Sequence, residues 1–340
     1  MRNIVKIVSV LSGLLVFSAA NAGELAVTGS MEATYKTGGT DGTVGNPLGM
    51  DRELKFAGST ELDNGMTVSV MQDTSDALAF GNSQIAIASD LGTLYLGSDS
   101  DPVDSIDDIT PTAYEEANGS GSGSKWVDVT GHAGGSMGLG LKTANLMGSG
   151  MDINYKYYPK VDGSKNADNS SSSATADNAA EDGNSLTIRG NPMNVIAGLN
   201  LAVGAAETGS TNTGTAGGGF DNLDLTAAIN YAYGPVKVGV QKSRVQVQDS
   251  STAYESEIIG IAYAINESLS VSYNEIVQLK NLGDVLGNAE DPNKQKSTAF
   301  NLSYAMGGAT LGIQSADVKN SGFVNDQDGS STTIGLSVAF

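Results

Sequence analysis

Residues 331–340, Ser-Thr-Thr-Ile-Gly-Leu-Ser-Val-Ala-Phe, read as a strand with one apolar face. Ile334, Leu336, Val338 and Phe340 fall on one side; Thr333, Gly335, Ser337 and Ala339 fall on the other, a period of two. No strand follows Phe340, so the free edge of this strand pairs with something earlier or stays exposed. It belongs either to the edge of a sandwich or to a ring closed against the first strand, and only closure removes the edge. The stretch alone allows both, and the rest of the chain discriminates between them.

Working back from it, the same alternation recurs. Leu223, Leu225, Ala227, Ile229, Tyr231 and Tyr233 give its clearest example, and Leu25 to Tyr35 its first. The pattern predicts about sixteen strands, the least marked lying near Met137–Leu146 and around Leu186 and Ile188. Beyond Val240 the apolar phase shifts to Val245 and Val247, which predicts a β-bulge. Tight turns are expected at Asn64-Gly65, Leu91-Gly92, Gly148-Ser149, Gly234-Pro235, Asn266–Ser268 and Gly307-Gly308. Longer polar loops are expected between them, among them Lys36–Met50, Ser98–Gly135, Pro159–Asn184, Leu279–Lys296 and Asp317–Ser330. Short and long connectors therefore alternate, as in an up-and-down barrel with one short-turn rim and one long-loop rim.

Face polarity indicates the environment. About sixteen strands closed into a ring leave an interior too wide for side chains to fill. The apolar face must then turn outward into lipid and the polar face toward water. This reading is all-β, a transmembrane antiparallel barrel. It puts Leu225, Ile229, Ile261, Leu302 and Leu336 against hydrocarbon, and Asn230, Asn301 and Ser337 in water. Tyr35, Tyr157, Tyr233 and Phe340 would form an interfacial aromatic girdle.

Composition agrees. Residues 1–22 have the form of a secretory signal: Arg2 and Lys6, an apolar core from Ile7 to Phe17, and Ala20-Asn21-Ala22 as the cleavage site. The expected mature domain is 23–340. The formal charge is −20, and removing Arg2 and Lys6 takes it to −22. Such acidity argues against nucleic-acid binding and suits attraction of cations. There are no cysteines, so no disulfide braces the exported chain.

Signal segment, strand pattern, alternating connectors and terminal Phe340 together resemble the trimeric general porins of Gram-negative bacteria. Leu94-Tyr95-Leu96-Gly97 resembles the end of their fifth strand. Many relatives carry Arg next, where this chain has Ser98, and the enterobacterial Pro-Glu-Phe-Gly-Gly-Asp motif is absent. The resemblance implies an outer-membrane homotrimer, embedded among lipid and lipopolysaccharide, that passes small hydrophilic solutes and ions by passive diffusion. It implies that Phe340 acts as an assembly signal for the barrel assembly machinery. It also implies that the third long loop, Ser98 to about Gly135, folds into the lumen and narrows it.

That loop holds seven carboxylates, Asp99, Asp101, Asp104, Asp107, Asp108, Glu115 and Glu116. At a constriction they would select cations. Lys36, Lys55, Lys142, Lys156, Arg189 and Lys237 fall on the polar phase of their strands and would form a basic opposite wall. An enzyme is not expected: His132 is the only histidine and no strand sets Ser and His on one face. No cofactor or metal is implied; Asn325–Gly329 reads as a polar turn and Gly119–Lys125 as a flexible segment. Two alternatives to a general channel are a substrate-specific channel and a non-conducting structural or adhesive barrel.

Overall fold

The computed structural model describes residues 24–40, 45–74, 80–99, 101–117, 126–131, 135–161, 182–209, 221–247, 252–282 and 293–340. The signal segment, Gly119–Lys125 and His132 lie outside them. The alternating stretches form sixteen strands: β1 Glu24–Thr40, β2 Leu48–Glu61, β3 Thr67–Thr74, β4 Phe80–Ser89, β5 Gly92–Gly97, β6 Gly138–Thr143, β7 Met151–Tyr158 and β8 Gly183–Gly190. They continue with β9 Leu199–Thr208, β10 Asn222–Tyr233, β11 Val236–Gln246, β12 Thr252–Ala264, β13 Leu269–Leu282, β14 Asn293–Met306, β15 Ala309–Lys319 and β16 Gly329–Ala339.

Each strand pairs antiparallel with its sequence neighbours, and β16 pairs with β1 to close the ring. The closing ladder runs from Ser30–Ala339 to Thr40–Gly329. Phe340 completes it: its N–H donates to the Gly29 carbonyl at 3.0 Å and its carbonyl accepts from the Gly29 N–H at 2.9 Å. Hydrocarbon offers no hydrogen-bond partner, and a closed ladder is the only sheet that leaves no edge there. Of the two settings open to the terminal strand, it occupies the ring.

Exposure follows the expected phase. Along β10, Ile229 is 53% exposed while Ala228 and Thr226 are buried at 5% each. The outward apolar band is bounded at the short-turn rim by Tyr231, Tyr233, Tyr263, Tyr304 and Phe340, all exposed. Toward the long-loop rim, opposite charges pair on the same outward phase, Arg244 with Glu255 at 2.9 Å and Lys296 with Glu275 at 2.8 Å. A band between an aromatic girdle and a charged border is what a membrane slab imposes.

Three expectations are corrected. The segment Lys36–Met50 is not all loop, because β1 continues to Thr40 and β2 begins at Leu48. Above the membrane both faces of a strand are wet, so the apolar alternation fades before the strand does. No bulge interrupts β11; its register with β10 and β12 is continuous to Gln246. Val245 keeps the inward phase and is buried because the inner wall is apolar at that level. Among the described ladders a register shift occurs at Gln72–Thr74, between β3 and β4. Finally, Asn301 is inward but 4% exposed, so it is packed rather than bathed in water.

The assignment of faces predicts that Ile229→Arg, near the middle of the apolar band, costs about 2–4 kcal/mol, whereas an arginine at an exposed lumen-facing position costs far less. Ser30, on the inward phase of β1 and exposed, is such a position. Refolding titrations in lipid check this, and equal destabilisation by Ile229→Arg and Ser30→Arg would contradict the assigned phase.

Candidate functional site

The chain leaves β5 through Ser98, which is fully buried. The next residue, Asp99, is held three ways. Its Oδ1 accepts from Lys156 Nζ at 2.7 Å, its carbonyl from the same Nζ at 2.9 Å, and its Oδ2 from Gln84 Nε2 at 2.9 Å. Lys156 is 0% exposed, with its ammonium 4.9 Å from the Tyr158 ring centroid. Losing one partner of so buried a pair costs about 3–5 kcal/mol, because the other charge is stranded. Asp101, 1% exposed, accepts from the Val103 N–H at 3.0 Å and from the Ser185 hydroxyl. This root is fixed by charge.

Beyond the root the segment is fixed by packing and side-chain amides. Val103–Ile106 forms a 3-10 turn. Val103 and Ile106 join Val129 and the wall residues Ala202, Ala206, Ala228 and Val245 in one apolar cluster. Gln241 on β11 accepts from the Ile109 N–H at 3.0 Å and donates to the Ile106 carbonyl at 2.8 Å. Asn230 donates to the Ile109 carbonyl at 2.9 Å, and Asn274 to that of Pro111 at 3.0 Å. Ser272 accepts from the Ala113 N–H at 2.9 Å, and Gln314 donates to the carbonyls of Glu115 and Glu116 at 3.0 Å. On the return, Gln278 donates to the Val127 carbonyl at 2.8 Å and Asp224 accepts from the Gly131 N–H at 2.8 Å. Every wall residue in this set lies on the polar phase of its strand. A neutral hydrogen bond is worth only about 0.5–1.5 kcal/mol net, but an orphaned buried backbone group costs more than that, so the set acts together.

The acidic residues singled out in the sequence divide into two groups. Asp99 and Asp101 are engaged at the root. Asp104, Asp107, Asp108, Glu115 and Glu116 are half-buried further along. Burial and the nearby carboxylates Asp108, Asp104 and Asp128 push the Asp107 carboxyl up to about 9. Burial first, then Glu32 and Asp108, also raises Glu115. Partial desolvation beside like charges disfavours the ionised form in both cases.

Among the basic residues, Lys142 stands close enough to Lys156, Lys55 and Arg189 for their charges to act on it. Its ammonium also sits 4.4 Å from the Tyr95 ring centroid. Lys36 is apart from them: Lys55 pairs with Thr28 on β1, which lies four pleat repeats from Lys36 toward the short-turn rim. Lys237 lies beside the Gly234-Pro235 turn, below Gly239, against which Pro111 rests. Of the wall residues that hold the segment, Gln241, Asn274, Ser272, Gln278 and Gln314 are not singled out by the sequence, and Asn230 and Asn301 are read there only as water-facing. Their signal was there, as carboxamides recurring on the polar phase of β11, β13, β14 and β15.

Comparison with known proteins agrees with this architecture. A model of the Gram-negative porin family matches residues 9–284. No curated protein is recognisable as a relative by sequence. Among solved structures, a porin refined at 1.8 Å resolution superposes with a TM-score of 0.65 and 11% identity, covering 93% of this chain and all of that one. Salmonella typhi OmpF, in complex with daunomycin, gives 0.63 at 12% identity over 94% of this chain and 98% of its own. The trimer form of OmpT, an outer membrane protein of Vibrio cholerae, gives 0.63 at 11% identity over 94% of this chain and 100% of its own. The family match covers most of the sequence, and the closed sixteen-strand ladder is the fold those structures share: the chain belongs to the Gram-negative porin family.

Proposed function

We propose that the chain forms a water-filled outer-membrane channel for passive diffusion of small hydrophilic solutes and ions. In this reading the segment from Ser98 to Gly131 runs inside the barrel and narrows the passage, and its carboxylates give a preference for cations. The phase of the wall side chains that bond the segment carries the reading: Asn230, Gln241, Asn274 and Gln314 all point to the inward face of their strands. Val103 is bonded to Ser185 on β8, and Tyr114 to Glu32 on β1. Along the wall that bonds the segment, β8 and β1 are nine strand steps apart, roughly 43 Å at about 4.8 Å per step. The eleven residue steps from Val103 to Tyr114 reach at most about 40 Å fully extended, and the 3-10 turn shortens them further. With the reach of the Tyr114 and Glu32 side chains added, a segment of this length follows the inner face of that wall.

Charge supports the preference. Asp104, Asp108 and Asp128 all lie close enough to act on Asp107, an acidic patch centred on that residue. Lys55, Lys142 and Arg189 belong to the wall of β2, β6 and β8, strands outside the set that bonds the far part of the segment. A field between the two would orient polar solutes. Lys156 adds little to the basic side, because Asp99 neutralises it at 2.7 Å. The excess is acidic, as is the chain at −20 overall, and carboxylates in a narrow passage concentrate cations and repel anions.

The rest of the proposal follows the family. The chain is exported with residues 1–22 removed after Ala22. Phe340 is read by the barrel assembly machinery, and the product is a homotrimer set among lipid and lipopolysaccharide. The trimer form of the similar OmpT supports that assembly.

Two measurements test this reading. In planar bilayers under a salt gradient the wild-type channel gives a cation-selective reversal potential. Its magnitude falls as salt rises, because the screening length shrinks from about 10 Å at 0.1 M to about 3 Å at 1 M. Changing Asp104, Asp107 and Asp108 together to Asn lowers the selectivity while the barrel still folds. An anion-selective wild type, or an unchanged triple variant, would overturn the assignment.

The second measurement is pH dependence. With its carboxyl held up to about 9, Asp107 is mostly protonated at neutral pH. Raising the pH toward that value adds negative charge, so cation preference grows, and in Asp107→Asn this rise is lost. Stability moves the opposite way. The native state keeps a proton that the unfolded chain releases near 3.8. Stability therefore falls as pH rises from about 4 to about 9, and Asp107→Asn removes that slope. A wild-type selectivity that is flat over this range would contradict the assignment.

A further inference from the structure

We propose that Tyr114, Gly312, Gly335 and Glu32 form a clasp that fixes the far end of the loop and thereby sets the cross-section and charge preference of the passage. The inference rests on the channel reading above and deepens it.

The near end of the loop is secured by a buried ion pair and an apolar cluster. The far end, residues 112–117, has mostly neutral bonds, from Ser272, Asn301 and Gln314. Tyr114 is the exception. Its hydroxyl donates to Glu32 Oε1 at 2.6 Å, a charge-assisted bond and among the stronger kinds. To reach β1 the side chain passes over β15 and β16, where it meets glycine twice. A Cβ added at Gly312 would lie 2.3 Å from Tyr114 Cδ2, and one at Gly335 would lie 2.0 Å from the Tyr114 hydroxyl and 2.2 Å from Glu32 Oε1. The two glycines are direct partners in the β15–β16 ladder.

Neither glycine is explained by backbone need. Gly38, Gly190 and Gly198 have φ in the left-handed range, but Gly312 and Gly335 do not. Any residue could adopt their backbone; what the site requires is the space a side chain would take. Gly239 and Gly260 repeat the device, paired across β11–β12, with Pro111 Cδ 2.5 Å and the Pro111 carbonyl oxygen 2.7 Å from their added Cβ positions. The loop thus lies in hollows left by paired glycines.

The clasp also answers an electrostatic problem. Burial disfavours Glu115, next to Tyr114, as an anion, and the nearby Glu32 adds to that. Two carboxylates would drive the loop end off the wall, and the phenol bound to Glu32 offsets that repulsion. Tyr114 bridges the β16–β1 ladder, so the loop end has its seat only once the barrel has closed.

The test uses single-channel recording of the full chain with Gly312→Ala, Gly335→Ala, Tyr114→Phe and Tyr114→Ala. Gly308→Ala serves as control, since an added Cβ there meets nothing within 4 Å. Gly312→Ala and Gly335→Ala should lower unitary conductance by lifting the ring and the loop end into the lumen. Tyr114→Phe keeps the ring seated, frees Glu32, and should shift the reversal potential toward stronger cation preference. In a Tyr114→Ala background, Gly312→Ala should have no further effect, a non-additivity that general destabilisation would not give. Unchanged conductance in Gly312→Ala with an unchanged reversal potential in Tyr114→Phe would overturn the clasp, and so would a Gly312→Ala effect that persists without Tyr114. A wild type that conducts nothing refutes the channel reading instead. The clasp is then decided by a Glu-specific protease on the folded barrel, which should spare Glu115–Glu116 in the wild type and cut there in Tyr114→Ala. Equal protection of both would overturn it.

Discussion

A backbone N–H or C=O left unpaired in hydrocarbon costs several kcal/mol, and the whole architecture answers that constraint. Sixteen strands pair in sequence order, and the last ladder, β16 on β1, removes the edge. The pleat then gives every strand one face for lipid and one for the interior. The outward band of Ile, Leu and Val follows, as do its aromatic and charged borders. The inward face is released from hydrophobic burial, so polar side chains and glycines can be set there for other purposes.

Those purposes vary around the ring. On β8 to β15 the inner wall holds the loop after β5, with carboxamides for its backbone, an apolar cluster for Val103 and Ile106, and paired glycines where Pro111 and Tyr114 come closest. On β2, β6 and β8 it carries Lys55, Lys142 and Arg189. In the proposed channel a loop so bonded is an added inner layer of the wall. Its carboxylates are held partly buried and beside one another, and burial first, then mutual repulsion, makes Asp107 and Glu115 hold their protons more tightly than ordinary carboxyls do.

Much of this was legible in the sequence. The alternation of Leu223 to Tyr233, the turns at Gly234-Pro235 and Gly307-Gly308, and the even strand count together specified a barrel and its outward face. The acidic stretch after Leu94–Gly97 marked the loop. Legibility failed where one physical condition masked another. Lys36–Thr40 is strand but carries no apolar signal, because both its faces are in water. Val245 looked like a slipped phase because the inner wall beneath the loop is apolar, a local reversal that a single-strand pattern cannot distinguish from a bulge. Asn301 reads as a water-facing residue until the loop is laid over it. Asp99 and Asp101 are indistinguishable in sequence from Asp107 and Asp108, and only the fold brings Lys156 and Ser185 to them. Gly335 reads only as a polar-phase residue of the terminal strand and Gly312 carries no signal of its own, since the neighbour that needs their hollow is some two hundred residues away in sequence.

The central claim is that the loop after β5 lines the aqueous passage. The chain has no cysteine, so a single Asp108→Cys gives one addressable site. Adding a bulky cationic thiol reagent to an open channel in a planar bilayer tests the claim directly. The account predicts a stepwise fall in conductance together with weaker cation preference, both reversed by reductant. A channel whose current and selectivity ignore complete modification of that cysteine would contradict it.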